Sequence, residues 1–170
     1  MWGKSLAMAV MAQAVVAAAV AAEPAPEIQR PVGAAQAVGA VHTLRQIPEA
    51  CVRLEGVFTG DAADPYRFNA VRTSPTCQPR ARFVDAAQAQ PSVAAGWKLN
   101  DLVRVPDAAC PARMAVVKVW RRPKDNQQAP DGQGQTRVYL EQARQAAAAG
   151  KLGEVPLYTA QLELQGRCGG

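Results

Sequence analysis

The chain has little of what most catalytic sites are built from. Its 170 residues hold one histidine, His42, and three serines, Ser5, Ser74 and Ser92. No Gly-x-Ser-x-Gly surrounds any serine, so the turn that exposes a nucleophilic hydroxyl in many hydrolases is absent. There is no Cys-x-x-Cys pair, which disfavours a thioredoxin-like redox site. The four cysteines are spaced unlike a zinc site, and one histidine cannot complete one. No Gly-Lys-Ser/Thr ending follows Gly132-Gln133-Gly134, so that stretch is not a phosphate cradle. No cofactor or metal motif appears, and no nucleic-acid-binding motif either.

What is present begins with an export signal. Lys4 is the only charge before Glu23. An uncharged Ala/Val/Met-rich run follows from Ser5 to Ala19 and ends in Val20-Ala21-Ala22. A positive start, an apolar centre and a small-residue exit make a signal peptide, cleaved after Ala22. The competing reading is a membrane anchor. Against it stand Gln13 in mid-run and the weak partitioning of alanine into hydrocarbon. The remaining chain is expected to hold no transmembrane segment.

Removal of 22 residues would leave 148, enough for one domain with a real core. That part has 18 Lys and Arg against 14 Asp and Glu, a net charge of +4. This is a mild excess, read here as spread along the chain. It favours anionic glycans, lipid head groups or acidic envelope proteins as partners. Arginine outnumbers lysine 14 to 5. With abundant alanine, this fits a GC-rich bacterial genome and is no argument for nucleic acid.

All four cysteines, Cys51, Cys77, Cys110 and Cys168, lie beyond the leader. An even number in an exported chain predicts two disulfides. Of three possible connectivities, a hairpin argument favours Cys51 with Cys77, leaving Cys110 with Cys168.

The hairpin comes from period-two patterning. Val52, Leu54 and Phe58 alternate with Arg53, Glu55 and Thr59. Tyr66, Phe68 and Ala70 alternate with Arg67 and Asn69 after a turn at Gly60–Pro65. Further strands are expected around Phe83, over Leu99–Val105, over Met114–Arg121, from about Thr136, and over Leu157–Gln165. A short helix is expected over Glu141–Ala149, with Gly150 as its C-cap. Residues 23–39, rich in Ala, Pro and Gln, read as a flexible tether. About seven short strands with one helical insertion near the C-terminus predict an all-β domain over 40–170, a mainly antiparallel sandwich or a partly open barrel.

Two features bear on function. If Ala115, Val117 and Val119 face the core, then Lys118, Trp120 and Arg122 share the opposite face, with Val116. An aromatic flanked by cations could stack on a sugar or an extended peptide. The competing reading packs Trp120 under the Lys124–Gln135 loop or the helical segment, with Lys and Arg stems over its ring. Trp97 precedes another strand and is a candidate to join it. His42 is the weak catalytic candidate; a hydrolase site would place it in a cleft beside a carboxylate or hydroxyl. The principal expectation is an exported, non-enzymatic β-domain that binds or scaffolds in the envelope or medium. The alternatives are a small secreted hydrolase using His42, or an inhibitor of an exported enzyme that presents the disulfide-held segment Ser74-Pro75-Thr76-Cys77-Gln78-Pro79.

Overall fold

A computed structural model describes residues 24–122, 145, 148–150 and 155–168. Among the described residues seven strands form two sheets, with no closed barrel. The first sheet has three strands in sequence order: β1 (His42–Ile47), β2 (Val52–Phe58) and β3 (Tyr66–Arg72). The second has four: β4 (Arg82–Phe83), β5 (Lys98–Pro106), β6 (Met114–Arg122) and β7 (Leu157–Gln165), in the order β4-β7-β6-β5. All pairings are antiparallel except β4 with β7. The expected strand from Thr136 lies outside the described residues, as does most of the expected helix at Glu141–Ala149.

The two sheets pack face to face. Leu44, Ile47, Leu54, Phe58 and Tyr66 of the first meet Val103, Val105, Ala115, Val117, Val119 and Ala160 of the second. Strict alternation supplies this interface: Leu54, Phe58, Ala115, Val117 and Val119 are fully buried. Each sheet also carries a bulge on the strand that faces its partner. One lies between Thr43 and Arg45 of β1, the other between Leu99 and Asp101 of β5. An extra residue reverses the alternation. It therefore turns Arg45 and Asp101, opposite Leu54 and Val119, toward the sandwich interior.

Two disulfides brace the domain, Cys51 to Cys77 and Cys110 to Cys168. The first joins the start of β2 to the loop after β3. The second ties the β5–β6 turn to the chain beyond β7. Among the described residues no helix is long and apolar enough to cross a membrane.

The segment expected to be a free tether lies instead along β5. Ile28 N donates to Asn100 O at 2.9 Å, Gly33 N to Arg104 O at 2.8 Å, and Gln36 N to Pro106 O at 2.9 Å. Gly39 N then reaches Phe58 O of β2 at 2.8 Å. The physical reason is that β5 is a sheet edge, with backbone groups open to an added strand. Arg30 and Glu27 fix the register through ion pairs with Asp101 and Arg121.

Between β4 and β5 lies the four-residue helix α1 (Ala86–Ala89). Asp85 caps it, its side chain accepting from Ala87 N at 2.9 Å. A short 3-10 turn at Pro48–Ala50 precedes β2.

Candidate functional site

The face of β6 expected to be open is covered. Trp120 is 5% exposed and packs with Trp97, Leu99, Val84, Ala89 and Leu157. The chain from Val84 through α1 to Trp97 folds over the outside of the four-stranded sheet and builds a second, small core there. A tryptophan on a sheet face is too large an apolar surface to leave in water when neighbouring chain can bury it. Trp97 does join Trp120, but as a packing partner and not as a stacking platform. Val116, on the same face, is also buried.

Lys118 lies beyond this cluster, its side chain largely covered and in an ion pair with Glu163 at 3.3 Å. Glu163 is one diagonal step away on β7, since Lys118 stands opposite Gln161. The Gln165 amide and this lysine hold the Glu163 carboxyl below the usual carboxylate range. A groove of about 570 Å³ runs between this pair and α1, lined by Asp85, Ala86, Ala87, Lys118, Gln161 and Glu163 among others. Arg122 is separate from it, exposed at the end of β6 opposite Leu157. The three residues expected to form one binding face are thus distributed over a groove, a core and a strand end.

His42 sits at the start of β1, facing Gly56 and half-buried among aromatic rings. Its ring centroid is 6.2 Å from that of Phe58 and 5.7 Å from that of Tyr66. Nδ1 donates to Ala40 O at 3.2 Å. The carbonyl can only accept, so the proton lies on Nδ1 and the neutral ring presents Nε2 as an acceptor. Nε2 accepts from the Tyr66 hydroxyl at 2.8 Å. Burial lowers the pKa of His42 and keeps it neutral, the Ala40 hydrogen bond opposing this in part. Burial also raises the pKa of Tyr66. The hydroxyl within reach of His42 therefore belongs to a phenol that is 3% exposed and held protonated.

Gly56 makes this pair possible. A Cβ there would stand 1.7 Å from the Tyr66 hydroxyl oxygen, so only glycine leaves room for the phenol to reach His42.

Sequence reasoning missed the polar cluster at the bulges. The Asp101 side chain is fully buried and accepts from Arg30 Nε at 2.8 and 3.0 Å and from Arg45 at 2.5 Å. One carboxylate thus joins the N-terminal segment, β1 and β5. Arg121 donates to Glu27 at 2.7 and 3.1 Å nearby. Burial raises the pKa of the Tyr158 phenol, with Glu49 adding to the rise and Arg121 and Arg45 opposing it. Among the described residues no group of three or more His, Cys, Asp or Glu is placed to hold a metal ion.

The loop after β3 is exposed and heavily braced. Arg72 donates to three carbonyls, Ser74 O at 2.9 Å, Pro75 O at 3.2 Å and Cys77 O at 3.0 Å. Thr76 N donates to Ser74 Oγ at 3.2 Å, and Ser74 Oγ pairs with Thr76 Oγ1 at 2.9 Å. Thr73 N is held by Cys51 O, and both Arg80 N and Ala81 N by Glu49 O. Cys51 takes a left-handed φ of 55°, rare for a residue with a side chain. Pro75, Thr76, Gln78, Pro79 and Arg80 remain exposed on this frame.

Comparison with family models, curated proteins and solved structures gave no match.

Proposed function

We propose that the chain is an exported, non-enzymatic β-domain that binds or scaffolds in the cell envelope or the surrounding medium. The observation that carries this reading is the state of the cysteines. All four are bridged, across 26 and 58 residues of chain, and such bridges persist in oxidising compartments. The Met1–Ala22 signal peptide is the matching feature at the N-terminus. The reading gains further support from the use of the reactive side chains. His42 has both ring nitrogens engaged, and Asp101 lies between two guanidiniums. Such groups hold the sandwich together.

The test is the intact mass of the protein recovered from the periplasm of a bacterial host expressing the full chain. The expected species begins at Glu23 and has four thiols oxidised. Recovery from the cytoplasm with an uncleaved leader and free thiols would overturn export. Ester or glycoside hydrolysis that disappears in His42→Gln would overturn the non-enzymatic part and restore the hydrolase reading.

A further inference from the structure

The excess positive charge of the exported part is not spread along the chain. From Tyr66 to Val84 there are four arginines, Arg67, Arg72, Arg80 and Arg82, and no acid. Outside this stretch and the leader, 14 basic and 14 acidic residues cancel. The fold then gathers most of that charge at one end. Arg82 pairs with Leu157 across the β4–β7 ladder, and Leu157 pairs with Arg122 across β7–β6. Arg82 and Arg122 therefore straddle Leu157 on the outer face of the sheet, both exposed. Arg80 is two residues before Arg82, where the braced loop returns to the sheet.

We infer that the loop Thr73–Arg80, together with Arg82 and Arg122, is a docking surface for a carboxylate-rich surface of another exported protein. Charge complementarity calls for an acidic partner, and the rigidity of the surface favours a protein. The charges are all arginine, whose planar fork pairs two at a time with carboxylate oxygens, as it also does with phosphate. The loop that carries Arg80 is already fixed by a disulfide, three Arg72 hydrogen bonds and three backbone anchors, and Arg82 and Arg122 stand on strands, so little entropy is lost on docking. Arg72 is engaged with its own loop and acts as a positioning residue, while Glu49, exposed beside the Arg80 anchor, sets a limit on how much acid the surface admits. The inference rests on the binding role proposed above.

A fluorescein-labelled decaglutamate peptide is the probe, titrated by anisotropy into the disulfide-intact chain from Glu23 to Gly170 at low salt. Saturable binding is expected, weakened about tenfold or more by Arg80→Glu with Arg82→Glu, as charge reversal in a contact patch does. Arg67→Glu is the matched control. It lies at the opposite end of β3, paired with Asp64, and leaves binding within about twofold. Arg72→Lys keeps the charge but loses the three-carbonyl fork, and weakens binding several-fold with an unchanged circular dichroism spectrum. Absence of saturable binding, or equal loss in Arg67→Glu, would overturn the inference. So would tighter binding to phosphatidylglycerol vesicles, which would assign the surface to lipid phosphate. Each failure leaves the export measurement untouched, so the two readings can fall separately.

Discussion

Strand β1 brings two polar side chains into the sandwich three residues apart, and the domain accommodates them by opposite means. At His42 the solution is neutral. Burial removes the charge from the imidazole, and one phenol and one carbonyl satisfy its two nitrogens. At Arg45 the solution is ionic. The guanidinium keeps its charge and meets a carboxylate whose side chain is fully buried, with Arg30 on the other side. The neutral site depends on a missing Cβ at Gly56, the ionic one on two bulges. A buried neutral pair asks chiefly for space. A buried charge asks for a partner from another element, because leaving it alone costs far more than a lost hydrogen bond.

Breaking the ionic site should have the largest effect. Asp101→Ala removes the one acceptor shared by three segments and leaves Arg45, only 14% exposed, without its carboxylate. A loss of about 3 kcal/mol is expected from urea unfolding, near the lower end for a broken buried pair because Arg30 can turn to water. Amide exchange gives the sharper reading. Ile28 and Gly33 should lose protection before the β6 amides do, since Arg30 no longer pins the segment to β5. Uniform loss across both would show that Asp101 serves the core alone.

Gly56→Ala attacks the neutral site through its space. The new methyl would meet the Tyr66 hydroxyl at 1.7 Å, and the phenol is packed edge-on against Phe58 with centroids 4.7 Å apart. The ring can yield only by disturbing that pair. A loss of about 2 kcal/mol is expected, typical of overpacking, measured as a fall in the urea midpoint. A second change, Tyr66→Phe, should restore stability only in part, because Cζ of the ring would still crowd the new methyl. No restoration at all would make the ring itself, and not its hydroxyl, the obstacle.

The same contrast explains what could be read from the sequence. The hairpin of β2 and β3 and the apolar face of β6 follow period two, so Leu54, Phe58, Val117 and Val119 declare their side directly. Asp101 and Arg45 do not. Each follows a bulge, which reverses the alternation by one residue and leaves no mark in composition. Trp120 was visible as a residue on the outer face, but its cover comes from Val84 to Trp97, a segment with no strong period. Arg72 is illegible as a brace, since its three carbonyls belong to a loop whose path the disulfide sets. Residues 24–39 look flexible because proline and alanine predict no ladder, yet only a few backbone bonds are needed to lay an extended chain on an edge.

Smaller changes separate the hydrogen bond at the neutral site from its packing. Tyr66→Phe keeps the edge contact with Phe58 and deletes only the donor to Nε2. It should lower stability by about 1 kcal/mol, the usual value of one such bond. The smallest effect is the pH dependence of His42. Its pKa in the folded protein lies below the ordinary 6.5, so between those two values the unfolded chain binds the extra proton. The contribution of His42 to stability is therefore complete above about pH 6.5 and is lost progressively as the pH falls toward its folded value. Melting temperatures between pH 8 and pH 5 should decline more steeply for the wild type than for His42→Gln. In Tyr66→Phe the slope should shrink, because the phenol no longer donates to the neutral ring. Nitrogen-15 shifts of the imidazole provide the direct check at pH 7.5: a proton on Nδ1 and an acceptor at Nε2. The reverse tautomer would mean that Ala40 does not orient the ring, and the neutral site would then rest on the aromatic packing alone.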